Sequence, residues 1–295
     1  MEDELRMKLS LRGWLALLRS EWSALIWTLA VASNVLVGSA FSPPLFRFLF
    51  VVVGAYLITI STYVANERFD MKEDAINQPR RPLPSGRATP GDAVLLSAAS
   101  AVIALYLAYM VNAMTLLLFS VSMALGLLYS LPGVRAKAKF PHKLLISWIG
   151  GFLAGMAGGA AINDLSPMIL LLSLSWGTLV VVSVAVGDMA DVRGDAANGI
   201  RTLPIVMGPA KAMKVIASLP VLYMLFISLA GIMDRSTPFF LFGEAPLAIY
   251  LLMQVLKING KYEDAKYIRH IKQKVRTSLL LSLFCLIAAT LPFIL

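Results

Sequence analysis

The chain has 295 residues, 58% of them hydrophobic, and a mean hydropathy of +0.76. Only 15% are charged, against about a quarter in soluble domains, which excludes an ordinary soluble domain and points to the membrane class. The net charge of +9 would suit a nucleic-acid binder, but the basic residues are crowded into a few short segments, a pattern of membrane topology that excludes that partner.

The N-terminus opens Met-Glu-Asp-Glu, without the short apolar core and small-residue cleavage site of a secretory signal. Residues 5–20 pattern as an amphipathic helix lying at the membrane surface. Long runs without Asp, Glu, Lys or Arg follow, and a spanning helix needs about 20 mostly apolar residues. They predict spans at 22–41, 47–66, 91–111, 114–131, 144–162, 166–187, 213–233, 238–256 and 277–295. A turn near Asn112 divides the charge-free run 93–134, and Glu244 is tolerated within the eighth span. The expected fold is an all-α polytopic membrane protein of about nine transmembrane helices. The single cysteine, Cys285, falls in the last span as a packing residue, so neither an internal disulfide nor a cysteine-based metal site is expected.

With nine spans, one side carries the N-terminus and the loops after spans 2, 4, 6 and 8. That side holds 24 of the 26 Lys and Arg residues; the other keeps Arg47 and Arg235. The positive-inside rule places the basic side in the cytosol of a multi-pass cell-membrane protein. Part of the basic excess serves topology and attraction to anionic lipid.

Two acidic clusters stand on that basic side. The first, Asn66-Glu-Arg-Phe-Asp70-Met-Lys-Glu-Asp74, begins where the second span ends. At about 100° per residue, Asn66, Asp70 and Asp74 lie within about 80° of one another on one helix face. Glu67 and Glu73 point away from its centre. The second, Asp188-Met-Ala-Asp191-Val-Arg-Gly-Asp195, begins where the sixth span ends. Its aspartates fall within about 60° if the helix continues past Gly194. Like charges stacked on one face destabilise a helix, so something must offset them. Oxygen-rich clusters suit Mg²⁺, usually held by one or two carboxylates with waters and substrate phosphates. Two clusters could hold two ions, bridged by a diphosphate. The bland alternative is a pair of solvated helix ends paired with Arg68, Lys72 or Arg193. Two clusters at matching helix ends on one side weigh against it. Matching placement also implies a parallel repeat within a single domain over 1–295, with halves at about 20–131 and 144–256 and an extra helix at 277–295.

Each inner loop adds basic groups. Asn77-Gln-Pro-Arg80-Arg81-Pro-Leu-Pro-Ser-Gly86 has three prolines that end the helix and stiffen the turn. Arg80 and Arg81 are thereby held near the first cluster, and arginine grips phosphate bidentately. Tyr129-Ser-Leu-Pro-Gly-Val-Arg135-Ala-Lys137 follows span 4, and Gly199-Ile-Arg201-Thr-Leu-Pro204 follows the second cluster.

These residues carry a likeness. Asn66-x-x-x-Asp70-x-x-x-Asp74 with Asn77-x-Pro-x-Arg81-Pro-Leu-Pro-Ser-Gly86 resembles the first motif of the UbiA-type intramembrane prenyltransferases. Tyr129-Ser-x-Pro-x-x-Arg135-x-Lys137 is similar to their Tyr/Lys loop. Asp188-x-x-Asp191-Val-x-Gly-Asp195 is similar to their second motif. The likeness implies a helical fold around a central cavity, two Mg²⁺ ions and an isoprenyl diphosphate substrate. It makes Asn66, Asp70, Asp74, Asp188, Asp191 and Asp195 the metal-site residues, Asp188 at its edge, and Asp70, Asp74, Asp191 and Asp195 the catalytic core. By the same likeness Arg81, Tyr129 and Lys137 become diphosphate contacts; Asn66 and the basic Arg80, Arg135 and Arg201 of the inner loops complete the candidate substrate-binding set. One departure is the stretch Phe140-Pro-His-Lys-Leu-Leu145, where members often carry an Asn.

The chemistry implied is departure of an allylic diphosphate, its charge neutralised electrostatically without a protein nucleophile. The acceptor must then attack in a cavity that excludes water. The turn after the first cluster and the Asp191-Val-x-Gly-Asp195 stretch look most like those of archaeal lipid enzymes and chlorophyll synthases; with no feature of a pigment-bearing context, the former are favoured, implying geranylgeranyl diphosphate as donor and geranylgeranylglyceryl phosphate as acceptor. Aromatic or quinone precursors and chlorophyllide-like acceptors are the alternatives. A transporter is the remoter reading, because its site is expected near the membrane midplane and the middles of these spans are nearly free of charge. His142 and His270 sit in basic loops as solvated residues. Glu21 is a weak candidate at the cavity mouth, and Glu244 reads as a far-side interface residue.

Overall fold

A computed structural model describes residues 11–20, 23–39, 42–71, 74–75, 79–233 and 237–290, of which 19–20, 23, 237–243 and 282–290 are described by backbone alone. Expectations for Glu21, Lys72, Glu73, Asn77, Arg235 and the Cys285 side chain fall outside these.

The described residues are helical and contain no strand. In chain order they form α1 (Leu11–Ser20), α2 (Ser23–Gly38), α3 (Leu45–Phe69), α4 (Pro90–Val111), α5 (Ala113–Ser130), α6 (His142–Ala161) and α7 (Pro167–Ala190). There follow α8 (Val192–Ala197), α9 (Leu203–Met207), α10 (Pro209–Met233), α11 (Thr237–Leu256) and α12 (Ala265–Thr290). Six of them, α3 to α7 and α10, are long and apolar enough to cross a membrane. In α2 and α11 the apolar described stretches are shorter, Ala24–Gly38 and Glu244–Leu256. In lipid every backbone group must be satisfied internally, and helices do this within the segment.

The boundaries have local causes. Thr89 caps α4 in a reciprocal capping box with Asp92, and Pro90 opens the helix. Asn112 separates α4 from α5: its Oδ1 accepts from the Thr115 amide at 2.8 Å, and its Nδ2 donates to the Ala160 carbonyl at 2.7 Å. One short polar residue thus ends one helix, caps the next and ties both to α6.

The interior is organised on α7, whose residues from Ser175 to Ser183 are all buried. Small residues let α6 approach it closely: a Cβ on Gly151 would lie 2.8 Å from the Gly177 Cα. Buried hydrogen bonds pin α2 to both. Asn34 Nδ2 donates to the Gly155 carbonyl and to Ser173 Oγ, each at 3.1 Å, and Trp176 Nε1 donates to Ser33 Oγ at 2.9 Å. Close backbone approach and interhelical hydrogen bonds are what hold helices together where lipid removes the hydrophobic drive. Glu244 is not an interface residue. It is fully buried in α11 and accepts a short hydrogen bond from the Tyr223 hydroxyl of α10.

Candidate active site

The first acidic half forms at the end of α3. Helical hydrogen bonding continues past Phe69: the Asp70 amide donates to the Asn66 carbonyl and the Asp74 amide to the Asp70 carbonyl, each at 2.8 Å. The i, i+4, i+8 pattern is therefore a real register, and it aligns the three side chains. Asp70 pairs with Lys137 Nζ at 2.5 Å, and Asp74 with Arg81 Nη1 at 2.8 Å. The proline turn is what brings Arg81 back. Glu67, off the acidic face and fully buried, accepts from the Leu83 amide at 3.0 Å. Gly86 supplies the left-handed φ of +71° that closes the turn.

The second half forms where α7 meets α8. The helix breaks at Asp191 rather than at Gly194, and the Asp195 amide then donates to the Asp191 carbonyl at 2.8 Å. The break separates the three aspartates by depth. The side chains of Asp188 and Asp195 keep only 3% and 10% of their exposure, whereas Asp191 keeps 45%. Asp188, expected at the edge, is the deepest of the set. Its partner is Lys143, in the first turn of α6, at 2.6 Å; Asp195 lies 3.7 Å from the same ammonium. Asp191 meets Arg269 of α12 at 3.2 Å. Burial pushes the Asp195 carboxyl up to about 6, opposed by Lys143 and aided by Asp188.

The halves share neighbours. Tyr129, at the C-terminal end of α5, is within electrostatic reach of Lys143, Asp188, Asp70 and Asp195. Lys137 acts on Asp195 as well as pairing with Asp70. Arg135 takes the left-handed backbone (φ 38°) that turns the loop, and its side chain is half-buried. The amide of Arg201 donates to the Ala138 carbonyl at 2.9 Å, fastening the Tyr/Lys loop to the loop after α8, while its side chain stands exposed. Arg80 is exposed too; its carbonyl accepts from Arg87. Among the described residues neither Arg80 nor Arg201 makes an ion pair.

Below the acidic residues lies a cavity of about 210 Å³. Asn66, Tyr129, Ser147 and Arg276 are among its lining, and its deeper wall is Val31, Ala55, Phe119, Ala154, Ala157 and other apolar groups. Trp27 Nε1 donates to the Tyr63 hydroxyl at 2.5 Å beside it. The site is a charged mouth over an apolar chamber.

Three buried oxygens here lack hydrogen-bond partners: Asn66 Oδ1, Asp188 Oδ2 and Asp195 Oδ2. Buried acceptors left in this way mark where a ligand belongs, and hard oxygens suit Mg²⁺. Among the described residues no three acidic, His or Cys side chains converge enough to hold an ion alone. Waters and substrate oxygens would complete the coordination, as is usual for Mg²⁺. The donor set fits, with Asn66, Asp70 and Asp74 on one side and Asp188, Asp191 and Asp195 on the other able to hold it.

Three groups escaped sequence reasoning. Lys143 read as a loop charge, yet a lysine in the first turn of a helix opposes the dipole, and that was the available signal. Arg269 and Lys272 read as loop charges because the last helix was expected to begin at 277; α12 begins at Ala265. Lys272 packs against Gly187 of α7, where a Cβ would collide with its ammonium. Burial, then repulsion from Arg276, lowers Lys272 to about 8.

Because the folded state holds the Asp195 proton more tightly than the unfolded chain, this group favours folding at low pH and loses that contribution as pH rises through about 6. Cation binding needs the charged form. The Mg²⁺ concentration for half-maximal activity should therefore rise steeply below about pH 6, while the cation-free protein becomes no less stable there. Mg²⁺ titrations and thermal unfolding on either side of that pH check both.

The sequence matches the UbiA prenyltransferase family over residues 24–291. A digeranylgeranylglyceryl phosphate synthase of Methanopyrus kandleri is 29% identical over 231 residues, covering 77% of this chain and 81% of that protein. The synthase of the same name from Natronomonas pharaonis is 29% identical over 219 residues, covering 72% and 76%. A UbiA homolog from Archaeoglobus fulgidus, bound to GPP and Mg²⁺, superposes with a TM-score of 0.73 at 18% identity, over 94% of this chain and 99% of that one. A digeranylgeranylglyceryl phosphate synthase structure superposes with a TM-score of 0.72 at 23% identity, over 95% and 98%. The helical fold, the paired acidic ends and the extent of the match agree, and the chain belongs to the UbiA prenyltransferase family and is a prenyltransferase.

Proposed function

We propose that this enzyme transfers the geranylgeranyl group of geranylgeranyl diphosphate to the free hydroxyl of geranylgeranylglyceryl phosphate. The carrying observation is the charged mouth over an apolar chamber: Asp188 and Asp195 leave buried oxygens open at the mouth, and the chamber is walled by Val31, Phe119 and Ala157. The choice of donor and acceptor is supported by the names of the relatives. One domain carries the reaction, with the basic loops at the cytosolic face of the cell membrane.

Asn66, Asp70, Asp74, Asp188, Asp191 and Asp195 would hold two Mg²⁺ ions. Bound there, they supply charge neutralisation to a departing diphosphate. Arg81 and Lys137 stand beside the first half, ready to exchange their carboxylate partners for phosphate oxygens. Tyr129 faces both halves and can donate to a phosphate oxygen. The apolar wall excludes water from the allylic carbon, which water would otherwise attack in place of the acceptor. The reaction forms the ether bond at the allylic carbon, breaks its bond to the diphosphate oxygen, and releases the acceptor's hydroxyl proton.

Purified protein with Mg²⁺, geranylgeranyl diphosphate and a set of acceptors tests the assignment by mass spectrometry. The expected product is the diether phosphate. Product only with aromatic or quinone precursors, or only with a chlorophyllide-like acceptor, would overturn the choice of acceptor. Substrate movement into vesicles with no covalent product would overturn the reaction.

Chamber size sets tail length. Ala154 is half-buried on the lining. Ala154→Phe should lower kcat/KM for the geranylgeranyl donor by about tenfold or more while sparing a geranyl donor, as steady-state kinetics with the two donors would show.

A further inference from the structure

We propose that Lys272 and Arg276 form a second anion subsite that takes the phosphate monoester of the acceptor lipid; this rests on the function proposed above. The two residues are four apart on α12 and so lie one above the other on the same face. Lys272 reaches the inner end of α7 because Gly187 has no side chain to obstruct it. Arg276, one turn further along α12, is exposed and borders the chamber with Leu279 and Ser183.

The pair lacks an anion of its own. Among the described residues neither side chain makes an ion pair. The neighbouring carboxylates are already engaged, Asp188 by Lys143 and Asp191 by Arg269. Lys272 feels Asp188 and Asp191 electrostatically but pairs with neither, and Arg276 beside it adds like charge. Two adjacent cations, Lys272 half-buried and Arg276 exposed, repel each other, and a dianion between them removes that repulsion. Arginine and lysine are also the usual donors to phosphate oxygens.

The position favours the acceptor over the donor. Arg81, Lys137 and Tyr129 serve the diphosphate from the turn after α3, the loop between α5 and α6, and the end of α5. The α12 pair comes from a different helix, packed on α2 and α7; Arg276 borders the same chamber, and Lys272 stands one turn away against Gly187. A phosphate anchored there would hold a glyceryl hydroxyl inside the chamber, beside the prenyl tail. A neutral aromatic acceptor would leave the pair unmatched.

Initial rates in nanodiscs of zwitterionic lipid, at saturating Mg²⁺, test this with wild type, Lys272→Gln, Arg276→Gln and Arg276→Lys. Each neutral variant should raise the KM for geranylgeranylglyceryl phosphate about tenfold or more, the loss of one charge-assisted hydrogen bond. The KM for geranylgeranyl diphosphate should stay within about twofold, since that substrate has its own cradle, and Arg276→Lys should recover most of the loss. Inorganic phosphate should compete with the acceptor in the wild type and lose that competition in Arg276→Gln. A rise in the donor KM alone would assign the pair to the diphosphate site and overturn the proposal. An effect seen only when anionic lipid is added would assign it to a membrane headgroup, with the same consequence. Unchanged constants in both neutral variants would reduce the pair to topology charges. A wild type that makes product only with unphosphorylated acceptors would defeat the functional reading itself, a failure visible before any variant is measured.

Discussion

Asp195→Ala and Asp70→Ala are each expected to lower kcat by about a hundredfold to a thousandfold, the usual cost of removing one preorganised electrostatic stabiliser. The protein should remain folded. For Asp195 the reason is specific: burial raises its carboxyl to about 6, so the charged form is a burden on the folded state at neutral pH, and removing it relieves that burden. When Asp70 is lost its partner Lys137 still has Asp195 within electrostatic reach, and Asp188 stays behind to hold Lys143 when Asp195 is lost. Asp74→Ala should resemble Asp70→Ala. Asp191→Ala should be milder, about tenfold, because Asp191 is the exposed member and already shares its charge with Arg269. Steady-state rates with circular dichroism on the same samples decide it. Wild-type rates from all four would remove the acidic halves from the chemistry.

Lys143→Met should be the most destabilising change in the site when divalent cations are absent. Lys143 is the ammonium beside the two deepest carboxylates, at 2.6 Å from Asp188 and 3.7 Å from Asp195. Losing one partner of a buried pair strands the other, which costs about 3–5 kcal/mol. Divalent cation can take over part of the compensation. In EDTA the thermal midpoint should fall by many degrees, and Mg²⁺ should raise the variant's midpoint more than the wild type's. Lys143→Arg should keep most of the stability. Equal midpoints for wild type and Lys143→Met in EDTA would show that the pair carries no such load.

The fold was legible where it depended on solvent. Apolar run length located the six described helices long and apolar enough to cross a membrane, since a bilayer fixes how many apolar residues a span requires. Asn112 was legible because capping is local chemistry. The first cluster was legible because its spacing follows the helical repeat; the second was legible only by its place at a matching helix end, since the break at Asp191 interrupts the repeat. What stayed hidden depends on tertiary contact. The only local mark that separates Lys143 from Lys139 or Arg135 is its place in the first turn of a helix, and its partner depends on the approach of α6 to α7, which sets it against Asp188. The start of α12 was hidden because Arg269, Lys272 and Arg276 interrupt its apolar pattern, and charged residues before a span look like loop. Glu67 was correctly placed off the acidic face, but its bond to Leu83 needs the proline turn folded back. Glu244 was misjudged because a lone carboxylate in an apolar run shows no partner, and Tyr223 lies on another helix.

The central claim is that two acidic halves clasp one metal-bound diphosphate. Mn²⁺ binding followed by electron paramagnetic resonance, with an unreactive prenyl thiodiphosphate, tests it most directly. The account predicts that Mn²⁺ binds tightly only together with the analogue, and that Asp70→Ala and Asp195→Ala each abolish that joint binding although they lie on different helices. Joint binding that survives in either variant would contradict it.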